Sequence, residues 1–278
     1  MSENETTTAE ETAVTTLARF EVPSRLEKIE DPNDPNHLTF VAEPFENGYG
    51  HTLGNSLRRV LLGSLEGAAI TSVRIAGAQH EFSSLPGVVE DVTEIVLNLK
   101  KVKFKHHGKE PRLLSLRVHK QGVVTAADIA DDTTYQVVNP DQIICTLDQD
   151  TMFECEFQVR VGRGFATGDE NKVPDMPIGV IPIDSIFSPV TRVKYSVQNT
   201  RVGQMTDYDK LTLEVWTDGR ISPADAMLQA SAILRHHLDV FVNYDDNQVN
   251  FEEAPSAVQD EETARLRKLL NMLSLIHI

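Results

Sequence analysis

The run Gly48-Tyr49-Gly50-His51-Thr52-Leu53-Gly54-Asn55-Ser56-Leu57-Arg58-Arg59-Val60-Leu61-Leu62 reads as a helix with two organised faces. At about 100° per residue, Leu53, Leu57, Val60, Leu61 and Leu65 share an arc roughly 140° wide, an ordinary core-facing stripe. The far side is unusual. Asn55, Arg59 and Leu62 stack there at i, i+4 and i+7, placing an amide, a guanidinium and an apolar group where solvated Lys and Glu are the norm. Such a mixture is the composition of a contact surface, in which arginine is enriched and lysine depleted. The plainer alternative is a solvated pair, Arg58 and Arg59, beside a lone exposed leucine.

Upstream of this helix, strand-like alternation at Leu17 to Arg25 and at Leu38 to Val41 flanks the turn cluster Asp31-Pro32-Asn33-Asp34-Pro35-Asn36, which predicts a hairpin leading into the helix. Downstream, Ile70 to Ile75 reads as a strand. Val88 to Leu99 reads as a helix with Val88, Val92, Ile95, Val96 and Leu99 on one side. Short strands follow at Leu113 to Val118, Tyr135 to Val138, Ile143 to Leu147 and Phe153 to Val161, with a local cap-and-turn at Thr125-Ala126-Ala127-Asp128. The segment from Gly162 to Pro177 is rich in Gly, Pro and charge, and is expected to be a loop at a domain edge.

Three more strands are expected at Val180 to Ile183, Arg192 to Gln198 and Lys210 to Trp216, and then a last helix. Ser222 can cap it, Pro223 suits the first helical position, and Asp225 falls where a capping-box acid reaches back. Its apolar positions form two groups, Met227, Ala230, Leu234, Leu238 and Phe241 in one and Ala226, Ile233 and Val240 in the other. Together they cover about 200° of circumference, twice the ~100° that packing on one sheet requires. Two helices far apart in sequence thus each offer more contact surface than one core can use. This favours an assembly subunit over a self-contained enzyme, with residues 67–178 inserted between two halves of a discontinuous domain.

The formal net charge of −16 belongs mainly to the termini, because residues 1–16 carry four acids and no base and residues 244–263 carry seven acids and no base. Without those eleven the remainder carries −5, so both segments read as solvated, disordered tails and the body as an ordinary globular composition. No secretory leader and no run of ~18 apolar residues is present, so a cytoplasmic protein without membrane contact is expected. Cys145 and Cys155 flank a turn at Asp148-Gln149-Asp150 and are expected to be buried free thiols.

Motifs of catalysis are missing: there is no Gly-x-Ser-x-Gly elbow, phosphate loop, His-Glu-x-x-His or paired Cys-x-x-Cys. Two binding readings remain as rivals. Gly48-x-Gly50-x-x-x-Gly54 superficially resembles a dinucleotide-binding turn, although its third glycine comes one position late; glycines permitting a close approach of another backbone are the alternative. Lys100-Lys101-Val102-Lys103-Phe104-Lys105 is either a nucleic-acid patch or, better, an edge strand protected by alternating lysines.

The helix motif Gly48 to Arg59 resembles that of the α subunits of bacterial DNA-directed RNA polymerase. The same holds for His80-Glu81-Phe82, Glu90-Asp91-Val92-Thr93-Glu94-Ile95-Val96-Leu97-Asn98-Leu99-Lys100, Val124 to Ile129, and Thr206-Asp207-Tyr208-Asp209-Lys210-Leu211. The resemblance runs through residues 17–243. It implies an α+β chain with a discontinuous α/β dimerisation domain (17–66 plus 179–243) around an inserted β-rich domain (67–178), between a disordered acidic tail (1–16) and an acidic linker with a truncated C-terminus (244–278). It further implies a homodimer whose core is Leu53, Leu57, Val60, Ile233, Leu234, Leu238 and Phe241. Arg59 and Leu62, with Asn55 on the same face, match positions that contact the β subunit, and Lys100 matches one implicated in binding β′.

By the same resemblance, β and then β′ assemble on the dimer, and omega and sigma complete the holoenzyme. Nucleotidyl transfer and its Mg²⁺ belong to the large subunits, leaving this chain with no active site and no cofactor, in a cytoplasmic, nucleoid-associated bacterial complex. Family members continue through a linker into a small domain that binds promoter DNA and activators. Arg265-Leu266-Arg267-Lys268-Leu269-Leu270-Asn271-Met272 looks like the approach to it, but Leu273 to Ile278 does not continue the pattern. A truncated sequence is therefore expected, with promoter and activator contacts only if that domain exists.

Overall fold

The computed structural model describes residues 15–17, 22–23, 25–130, 132–174, 176–202, 205–242 and 249–251. Most of both acidic terminal segments, including Arg265 to Met272, lies outside the described residues. In chain order the elements are β1 (Thr15–Leu17), β2 (Leu26–Glu30), β3 (His37–Phe45), α1 (Tyr49–Gly63), β4 (Glu66–Ile75), α2 (Val92–Leu99), β5 (Phe104–His106), β6 (Arg112–Val118) and β7 (Gly122–Thr125). A 3-10 turn at Ala126–Asp128 leads to β8 (Tyr135–Val137), β9 (Ile143–Leu147), β10 (Phe153–Arg163), β11 (Phe165–Ala166) and α3 (Gly168–Asn171). The chain continues with β12 (Val180–Pro182), β13 (Ser185–Ile186), β14 (Val190–Val202), β15 (Met205–Thr217), α4 (Pro223–Val242) and β16 (Val249–Phe251).

Residues 23–238 form one compact unit containing two hydrophobic cores. The first core lies on the antiparallel sheet β14-β15-β3-β2. Burial alternates along β15, with Leu211, Leu213 and Val215 turned inward, as a sheet with one covered face requires. Helix α1 lies across β14 and β15 and contributes Leu61; α4 contributes Ala226, Met227 and Ala230. The helix can come this close because Gly54 has no side chain: a Cβ there would sit 2.7 Å from Tyr195 Cδ2 and 3.0 Å from Leu211 Cδ1.

The second core is built on the strand order β6-β10-β4-β5-β8, with β12 beyond β5 along β4, opposite Ser72 to Arg74. Phe153, Cys155, Phe157 and Val159 alternate inward along β10, and α2 covers them with Val92, Ile95 and Leu99. Ile181 and Ile183 pack into this core too. Residues 1–22 and 239–278 are grouped separately; among their described residues β1 and β16 pair in parallel, Thr15 opposite Val249.

Several expectations are corrected. The strand expected at Leu17 to Arg25 lies largely outside the described residues; the strand leading into the turn cluster is β2 at Leu26–Glu30, an edge strand with every residue exposed, so it carries no inward alternation for a sequence reading to detect. Helix α2 starts at Val92 rather than Val88. Val88 bridges to Leu147, and the Glu90 carboxylate accepts from Thr146 N–H at 2.7 Å and Oγ1 at 3.0 Å, so residues 88–90 run beside β9. Asp91 then caps the helix by accepting from Glu94 N–H at 2.8 Å.

The lysine run is not an edge strand, because β5 lies between β4 and β8 and Lys103 reaches inward to Asp218. Lys103 is half-buried, and its ammonium finds a carboxylate there. The expected loop from Gly162 to Pro177 contains the end of β10, β11 and α3, the last opened by Thr167 and Glu170 in a reciprocal capping box.

Candidate assembly surfaces

Helix α1 starts at Gly48, whose backbone is left-handed at φ 89°, and has no acid in its first turn. Its anionic partner arrives from the far end of the chain. Gly48 N–H donates to Asp209 Oδ2 at 2.8 Å and Gly50 N–H to the same oxygen at 3.1 Å. A carboxylate at a helix N-terminus satisfies orphan donors and complements the dipole, contributing on the order of 1 kcal/mol. Two sequence motifs, Gly48 to Arg59 and Thr206 to Leu211, therefore meet in one contact. The dinucleotide reading is overturned here, since the amides that would hold a pyrophosphate are filled by the chain's own Asp209.

Along α1, Leu57, Val60 and Leu62 are half-buried against the first core and Leu53 is also half-buried, whereas Asn55, Arg58 and Arg59 are exposed. Leu62 departs from the expected outer face. It turns partly inward, leaving Asn55 and Arg59 as the open pair one helical turn apart. The wide apolar arc on α4 resolves along the helix rather than around it. Its first turns bury Ala226, Met227 and Ala230, and Ile233 packs partly on the same core. Leu234 is half-buried, but Leu238 is 53% exposed. In the last turn, Val240 and Phe241 are exposed by 72% and 73%. Leu228, outside both expected groups, is exposed as well.

Lys100 lies at the C-terminal end of α2, far from these helices in sequence, and its Nζ donates to Asp184 Oδ2 at 2.9 Å. That ammonium, together with the Gly168 N–H, holds the Asp184 carboxyl below the usual carboxylate range. The pair forms one wall of a 540 Å³ groove that Phe82 and Leu97 also line. Both are exposed. Neither belongs to the contact surfaces expected from the sequence. The signal was available, because Phe82 belongs to a quoted motif and Leu97 lies off the buried stripe of α2.

At the boundary of the two cores, Arg220 Nη1 donates to Ala68 O at 2.8 Å and Nη2 to Ser188 O at 2.7 Å, while Nε pairs with Asp218 at 2.9 Å. Lys103 Nζ stands 3.6 Å from the same Asp218 carboxylate. Burial and the neighbouring Arg220 push the Lys103 ammonium down, against the opposing pull of Asp218. Cys145 and Cys155 are free and buried, as expected, and burial pushes the Cys145 thiol up to about 12 and Cys155 up as well, so both are inert packing groups. Among the described residues no three His, Cys, Asp or Glu side chains converge on a metal-sized site, and no helix is long and apolar enough to cross a membrane.

Comparison with known proteins adds the following. Residues 73–188 match the profile described as the RNA polymerase Rpb3/RpoA insert domain. Over 248 residues the chain is 50% identical to the DNA-directed RNA polymerase subunit alpha of Symbiobacterium thermophilum, covering 89% of this chain and 78% of that protein. The subunit alpha of Desulfitobacterium hafniense gives the same identity and coverage. That of Moorella thermoacetica is 50% identical over 230 residues, 83% of this chain and 73% of its own length.

Proposed function

The chain belongs to the α-subunit family of bacterial DNA-directed RNA polymerase, and from that premise we propose that it is a non-catalytic homodimeric platform on which β and β′ assemble. The observation that carries this reading is α4, which buries its first turns in its own core and leaves Leu238 and Phe241 exposed on the rest. Large apolar side chains in that position call for a partner, and a second copy of the same helix is self-complementary by symmetry. Leu53, Leu57, Val60, Ile233 and Leu234, half-buried in one chain, supply the margin of that dimer face. Asn55 and Arg59, with Leu62 beneath them, form a separate face for β. Lys100 and its groove form one for β′.

On this reading nucleotidyl transfer and its Mg²⁺ reside on the large subunits, with omega and sigma completing a cytoplasmic, nucleoid-associated complex. Promoter DNA and activators are met through a C-terminal domain where one is present. Arg59→Ala tests the division of faces, because the guanidinium is exposed and its removal leaves no buried group unpaired. The variant should keep the dimer mass in light scattering while recovery of the complex with co-expressed β falls at least tenfold. Undiminished recovery would remove Arg59 from the β face.

A further inference from the structure

Arg220 precedes the Ser222 cap of α4, and its side chain is only 4% exposed. Besides Ala68 and Ser188, its guanidinium reaches Ile186 O at 3.4 Å and Asp218 through both Nε and Nη2, the latter at 2.7 Å. Ala68 lies on β4 in the second core, Ile186 to Ser188 is the return crossover, and Asp218 closes β15 of the first sheet. One planar group thus ties the leader of α4 to a strand 152 positions away. Lys103, three residues beyond Lys100, extends the cluster toward the end of α2 through Asp218.

The cluster is poorly suited to adding net stability, because desolvating three charges offsets much of their attraction. It is well suited to fixing direction. A guanidinium holds its donors in a rigid fork, so satisfying several acceptors at once permits one orientation. We propose that Lys103, Asp218 and Arg220 are positioning residues forming a joint that locks the orientation of the second core relative to α4. The end of α2 and the α4 helix are then presented to their partners as one rigid body. The joint itself does not depend on the assembly reading; its benefit to complex formation does.

Electron–electron spin distances test it on the whole chain, labelled at Lys120→Cys on the exposed turn between β6 and β7, beside the second core, and at Ser196→Cys on β14, with labelled chain diluted into excess unlabelled chain. The native cysteines are buried and escape labelling. The parent should give one narrow distance distribution. Arg220→Met should at least double its width while circular dichroism still reports a folded protein, and Arg220→Lys should fall between. An unchanged width in folded Arg220→Met overturns the proposal. Should Arg220→Met fail to fold, Lys103→Met leaves the Arg220 fork intact and removes only the α2 arm; broadening supports the joint and an unchanged width overturns it. A second readout is recovery of β′ when β and β′ are co-expressed with the chain, expected to drop at least fivefold in Arg220→Met at unchanged dimer mass. Absence of β′ recovery by the parent would defeat the assembly reading and leave the distance result standing.

Discussion

Leu238→Asp is expected to turn the dimer into a folded monomer. In one chain Leu238 is 53% exposed, so an aspartate there is solvated and circular dichroism should remain that of the parent. In the proposed dimer the same position is covered twice, once per copy, because a two-fold interface repeats every substitution. Burying an unpaired charge costs about 3 kcal/mol or more at each site, roughly 6 kcal/mol for the pair, or about four orders of magnitude in dimer affinity. Light scattering at micromolar concentration should then give the mass of a single chain. Persistence of the parent mass would exclude Leu238 from the interface.

Gly67→Ala is expected to be the most damaging glycine-to-alanine change among the described residues. A Cβ at Gly67 would lie 2.0 Å from the backbone oxygen of Phe187 and 3.0 Å from Arg220 Nη1. The cross-strand partner of Gly67 is Gly162, where a Cβ would sit 2.8 Å from the Phe187 ring, so the two glycines together form the floor on which Phe187 packs. A backbone oxygen cannot rotate away as a flexible side chain can. The loss should be about 3 kcal/mol or more, lowering the melting temperature by roughly 6 to 12 °C. Gly63→Ala is the control. Nothing lies within 4 Å of a Cβ there, and the site is helical, so the same methyl should raise stability by up to about 1 kcal/mol. Equal effects at the two positions would refute the packing account.

The sequence made α1 legible because a 3.6-residue period survives without tertiary context, and the Ser222 and Asp225 cap of α4 for a similar reason. The Ser222 cap forms, with Asp225 N–H donating to Ser222 Oγ at 3.1 Å, and the Asp225 carboxylate accepts from the Ser222 hydroxyl at 2.7 Å. Features that depend on distant residues were not legible. Asp209 caps α1 from more than 150 positions away, and Arg220 satisfies carbonyls on strands whose pairing no local pattern announces. Strand β2 escaped because an exposed edge needs no apolar alternation. Periodicity sets Leu62 on the outer face of α1, whereas in the structure it packs partly against the first core.

For the surfaces, periodicity pointed to excess contact area on α1 and α4, but the owner of each face came only through family resemblance. Residue composition marks a face as sticky without saying what adheres to it. The groove beside Lys100 was also hidden, since its walls come from α2 and from residues near 168 and 184 brought together by folding.

Homodimerisation is tested most directly by the molar mass of the purified chain in light scattering over a dilution series through micromolar concentration. The account predicts twice the 31.0 kDa of one chain, held constant on dilution. A mass of 31.0 kDa at micromolar concentration would contradict it.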